Sequence, residues 1–91
     1  MALAHTIPGQ AVDVQPLGAL LPGAKTVALF KSEDLEVMRL VLLAGKSLPP
    51  HKVPGELTVQ CIEGALDVTA DGHSHVLRAG QLLYLCGNVV H

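Results

Sequence analysis

Gly45 is followed six residues later by His51, the opening of a metal-site pattern, within the stretch GKSLPPHKVPGE at 45–56. Two residues on, where a second imidazole would sit, the chain has Val53. Glu56, Gln60 and Cys61 are the oxygen and sulfur donors that come next. His73 and His75 are spaced i, i+2 and so face one side of a strand. They follow Asp71-Gly72, a hairpin-turn signal, and two histidines at a hairpin tip read as a polar, solvated face rather than as ligands. Cys61 and Cys86 are the two cysteines, and both read as reduced, buried thiols. Cys86 follows an apolar run with no Lys or Arg nearby to favour the thiolate, so it reads as structural. The sequence contains no Gly-rich phosphate loop, no Gly-x-Ser-x-Gly and no Ser/His/Asp arrangement.

The residues that must position these groups amount to one small domain of 91 residues. Hydrophobic residues make up 49% and charged residues 15%, enough apolar material for a core. Phe30 and Tyr84 are the only aromatic residues, so Val and Leu must fill the interior. The net charge of -2, without a basic block, argues against nucleic acid, whose phosphates need clustered Lys and Arg. No apolar run approaches the ~20 residues of a membrane span. The N-terminal stretch lacks the basic-then-apolar pattern of a signal peptide, so the expected compartment is the cytoplasm.

Turn signals recur every 8–12 residues or so, which predicts an all-β fold, a sandwich or barrel. Strands are expected at 25–31, 35–44, 57–62, 65–70, 73–78 and 81–86. The Leu, Met and Glu content around 31–46 also fits a helix, but an antiparallel barrel needs this segment as a strand. Pro49, Pro50 and Pro54 make 47–56 a stiff loop, because Pro lacks the ladder donor and fixes φ. Residues 65–70 alternate, with Leu66 and Val68 facing opposite to Asp67 and Thr69. Pro8, Pro16 and Pro22 mark residues 1–22 as an extended N-terminal arm, leaving 23–91 for the barrel domain.

The set Gly45, His51, Gly64, Gly80 and His91 resembles the two spaced motifs of the cupin superfamily, small single-domain cupins of the RmlC-like jelly-roll kind. The resemblance covers roughly residues 25–91. It implies a cupin-type antiparallel β-barrel, or jelly roll, whose two motifs supply the ligands of a divalent metal. Carried over residue by residue, only His51 and His91 match that ligand set. Val53 stands at the second His position and Leu57 at the Glu position, and neither can donate a lone pair. Cys86 replaces a motif Pro, and Asn88 a motif Gly, a mild change because Asn tolerates positive φ. The resemblance further implies strands beyond His91, an edge that the arm of a second copy could cover in a homodimer.

The metal motif therefore reads as degenerate, because two neutral imidazoles are a poor divalent site. No tightly bound metal is the first expectation; a divalent ion (Zn, Fe, Mn or Ni) held by His51 and His91, with Glu56 or Gln60 as a third ligand, is the second. Strict alternation from Leu57 turns Gln60 outward; only a bulge at Pro54-Gly55 would swing Glu56 inward. The expected pocket is lined by His51, Val53, Leu57, Val59, Cys61 and His91, with His51 and His91 facing each other across the barrel mouth. The first functional reading is binding of a small organic molecule. The second is a metal-dependent oxygenase, isomerase or decarboxylase, and the third a structural dimerisation unit.

Overall fold

The computed structural model describes residues 6–91. Its regular structure is β, apart from one short 3-10 helix at Gly18–Gly23, and every strand pair is antiparallel. The chain forms two compact units, Met1–Ser47 and Leu48–His91, with the division falling in the proline-rich loop.

In the first unit, β1 (Val27–Lys31) pairs with β2 (Glu36–Arg39). Ser32 makes the connecting turn: its amide donates to the Leu35 carbonyl at 2.7 Å, and its hydroxyl oxygen accepts from the Leu35 amide at 3.1 Å. The register slips between Ala28 and Phe30. This leaves Leu29 as a bulge, whose carbonyl accepts from the Thr6 amide at 2.7 Å. The second strand stops at Arg39 rather than at 44. Beyond it the Val41 amide is taken by the Thr26 hydroxyl at 2.9 Å, so a side chain replaces the ladder acceptor. The N-terminal arm is not extended throughout, since Gly18–Gly23 winds into the 3-10 helix. It is also held within its own unit: Arg39 donates to the Gln15 carbonyl at 3.0 Å.

The second unit is a hairpin nested in a hairpin. The inner pair is β4 (Ala65–Ala70) with β5 (His73–Arg78); the outer pair is β3 (Leu57–Gln60) with β6 (Leu82–Leu85). Bonds from Cys61 to the Gln81 carbonyl (2.9 Å), from Gly80 to the Cys61 carbonyl (2.8 Å) and from Ala79 to the Gly64 carbonyl (3.2 Å) join the two ladders into one ribbon. At this waist the four residues 61–64 oppose the three residues 79–81, so one arm carries an extra residue. Inserting one residue exchanges the faces of everything beyond it and bends the ribbon. The tip turns at Asp71 and Gly72, at φ 50° and 79°, the positive φ pair that the Asp-Gly signal predicts. The tip then reaches the tail, where the Asp71 amide donates to the Val90 carbonyl at 3.0 Å.

The strands expected at 65–70 and 73–78 form over those residues. The others are shorter than expected: the waist takes the ends of β3 and β6, and the Thr26 hydroxyl that accepts from the Val41 amide stands where β2 would continue. Among the described residues the ladders are three separate two-stranded sheets, not one closed barrel. The outer pair alternates as a half-buried ribbon should: Leu57, Val59, Leu83 and Leu85 face inward, while Thr58, Gln60, Leu82 and Tyr84 face outward. The core is small, consisting of Cys61, Ala70, Leu77 and Leu85. Leu77 is 6% exposed, whereas its neighbour Val76 is 54% exposed. Leu77→Ala is expected to lower unfolding free energy by about 2–3 kcal/mol, and Val76→Ala by no more than about 0.5, in urea titrations.

Candidate functional site

The two motif histidines meet on adjoining chain segments rather than across a barrel mouth. His51 and His91 exchange both backbone hydrogen bonds, each amide 2.8 Å from the other's carbonyl. This is the hydrogen-bonded pair of an antiparallel ladder, which sets both side chains on one face. The ring centroids are 4.3 Å apart, with the planes tilted by 60°. Two residues beyond His51 and three before His91, the Asn88 amide donates to the Val53 carbonyl at 2.7 Å, so the two segments stay paired with a one-residue shift in register. Asn88 holds φ 64°, in the left-handed region, at the position where the second motif has a glycine. The motif glycines Gly45, Gly64 and Gly80 also have positive φ, so all four of these positions share one backbone requirement.

Each imidazole is oriented by its own backbone. His91 Nδ1 lies 2.9 Å from the Val89 carbonyl, and His51 Nδ1 a longer 3.4 Å from the Pro49 carbonyl. A carbonyl only accepts, so the bonded Nδ1 carries a proton, and in a neutral ring Nε2 is then the acceptor. His51 is exposed and His91 half-buried, so a solute can reach them.

The other expected site residues divide between faces. Leu57 and Val59 lie on the inward face of β3, and Val53 is on the surface at 36% exposure. Cys61 is buried as expected, and its thiol lies 3.4 Å from the Glu63 carbonyl and 3.6 Å from that of Gly64. That thiol serves the waist turn. Gln60 is exposed on the outward face, as alternation predicts. Glu56 does not swing toward the imidazoles; its carboxylate accepts from the Tyr84 hydroxyl. Among the described residues no three His, Cys, Asp or Glu side chains converge as a metal site. The donor set, two imidazoles without a carboxylate beside them, does not fit a resident divalent ion. His73 and His75 are exposed near the hairpin tip.

Two features escaped sequence reasoning. Cys86 is exposed, not buried, because the chain leaves the ladder at Leu85 and the residue after it falls on the outer side. Its thiol lies 3.9 Å from the Tyr84 hydroxyl, so Glu56, Tyr84 and Cys86 form a chain of polar groups. Tyr84 is pushed well above the usual phenol range, first by its hydrogen bond to Glu56 and then by that to Cys86. The alternation that placed Gln60 outward also applies to Tyr84 and Cys86, and was the available signal. The second feature is a cleft of about 370 Å³ in the first unit, lined by Thr6–Gln10 and Phe30–Ser32. None of the expected pocket residues belongs to it.

No known protein family's profile matches the chain, and no curated protein matches it.

Gly87 is fixed by a close approach. A Cβ built there would fall inside the contact shell of the Pro54 carbonyl oxygen, with the Gly55 carbonyl carbon 3.4 Å away. Both neighbours are backbone and cannot rotate aside, so Gly87→Ala is expected to destabilise by about 1–3 kcal/mol. Denaturant midpoints of Gly87→Ala against wild type would read this; an unchanged midpoint would refute the close packing of the Pro54-Gly55 turn on Gly87.

Proposed function

We propose that the chain is a small cupin-like domain of jelly-roll ancestry that binds a small organic molecule at His51 and His91. The observation that carries this reading is the imidazole pair: rings 4.3 Å apart, each Nδ1 on a carbonyl, both Nε2 atoms left to accept. The ligand this chemistry takes has two O–H or N–H donors at one end. The cupin reading is supported by the motif spacing, by the shared positive φ at Gly45, Gly64, Gly80 and Asn88, and by the ribbon whose tip returns to its tail. No helix among the described residues is long and apolar enough to cross a membrane.

Fragment screening by ligand-observed NMR tests the binding. Hits are expected to carry vicinal or geminal donors and to weaken about tenfold in His51→Ala or His91→Ala, the loss of one hydrogen bond. Hits indifferent to both substitutions would refute the site. Elemental analysis tests the runner-up, a metal-dependent enzyme. Stoichiometric metal that survives EDTA dialysis and is lost in His51→Ala would put the enzyme first.

The homodimer belongs to the same proposal. It is supported by Leu35, Met38 and Leu40, which are 47–54% exposed in and beside β2. Sedimentation is expected to give a dimer at tens of micromolar; a monomer at that concentration would refute it.

A further inference from the structure

The outward face of the outer ladder carries a second group of polar side chains, none of them shared with the imidazole pair. Glu56 comes from the turn before β3, Tyr84 from β6, and Cys86 from just past its end. Three contacts bring them together. The Asn88 amide on the Val53 carbonyl ties the turn to the tail at 2.7 Å. The absence of a side chain at Gly87 lets Pro54 lie against the chain. The pairing of Thr58 with Tyr84 sets the tyrosine on the face that Glu56 shares. The result is a line of donors and acceptors, from the Cys86 thiol to the Tyr84 hydroxyl at 3.9 Å and from that hydroxyl to a Glu56 carboxylate oxygen. All three residues are exposed, so a solute reaches the sulfur directly. Among the described residues, Glu56 and Cys86 are the titratable groups that bear on Tyr84.

We propose that Glu56, Tyr84 and Cys86 form a thiol-exchange site for small disulfides, in which the thiol proton leaves through the phenol to the carboxylate as the sulfur attacks. A thiol is a weak nucleophile until it loses its proton. Nucleophilic cysteines are usually assisted by a positive charge or an adjacent base. Here the base is a carboxylate reached through one hydroxyl. As the Cys86 Sγ–S bond forms, the Cys86 proton passes to Tyr84 Oη and the Tyr84 proton passes to Glu56. The disulfide bond breaks, and the leaving thiolate recovers the proton from Glu56 as free thiol. Cys86 is thereby oxidised to a mixed disulfide, one half of the reagent is reduced, and the carboxylate is regenerated. Tyr84, bound to a carboxylate and so held as the neutral phenol, has the proton to pass on.

The test is the pH dependence of mixed-disulfide formation by the intact protein with 2-hydroxyethyl disulfide, a neutral reagent, followed by mass spectrometry with peptide mapping. An unassisted thiol loses about tenfold in rate per pH unit below its own titration, hence about a hundredfold between pH 7.5 and 5.5. With the relay, Cys86 is expected to lose less than tenfold across that range. Glu56→Gln and Tyr84→Phe, each checked for an unchanged circular dichroism spectrum, are expected to restore the hundredfold fall. Buried Cys61 is the internal control and stays unmodified. A wild-type loss of more than tenfold overturns the proposal. So does a Glu56→Gln protein that keeps the shallow profile, or one that reacts faster than wild type at pH 7, where the carboxylate would be acting by repulsion alone.

Discussion

The reciprocal backbone pairing of His51 with His91 is the constraint on which the arrangement of the second unit rests. It joins the segment before β3 to the segment after β6, residues separated by the whole nested ribbon. The tail is held from its other edge by the tip of that ribbon, through Asp71 and Val90. Each exposed backbone bond is worth only about 1 kcal/mol net. Their importance is geometric, because they convert a free ribbon into a loop closed at both ends. The two imidazoles are neighbours because their backbones are paired. The Pro54-Gly55 turn lies on Gly87 because the same pairing continues through Val53 and Asn88. The outward cluster at Glu56 and Tyr84 is therefore a second product of one backbone alignment.

Much of the second unit was legible in the sequence because period-2 alternation and turn chemistry are local signals. Residues 65–70 and 73–78 read correctly because the Asp-Gly turn fixes the register, and the register fixes the faces. The inward direction of Val59 and Cys61 and the outward direction of Gln60 followed from the same alternation. Asn88 was readable as a glycine surrogate because few side chains tolerate its φ. The waist was not legible. An extra residue between Gln60 and Ala65 leaves no signature in hydrophobicity, since residues 61–64 look like any strand end with a turn.

The first unit was read less well, and the reason is competition between side chain and backbone. The apolar run 35–44 has strand composition throughout, yet Thr26 captures the Val41 amide and the ladder ends at Arg39. The bulge at Leu29 depends on Thr6, more than twenty residues earlier, which no local pattern reveals. The exposure of Cys86 was missed for a related reason. Its apolar neighbours suggested burial, whereas its position, two residues after Tyr84, already put it on the outward face. Glu56, which alternation turns away from the imidazoles, has a phenol as its partner, and that partner was not read from the sequence.

The nested hairpin also orders events in time. Tip contacts between Ala70 and His73 close the shortest loop, and each following pair adds little further closure cost, so the ribbon zips outward from Asp71-Gly72. The His51–His91 pair spans the longest interval, so its loop-closure cost is least once both ladders have formed. The pair is not among the buried residues, which are Cys61, Ala70, Leu77 and Leu85, and ladder ends with few buried contacts are those that open at low cost. The imidazoles thus sit at the end of the ribbon where the two chain segments meet, and a solute reaches them with both ladders closed.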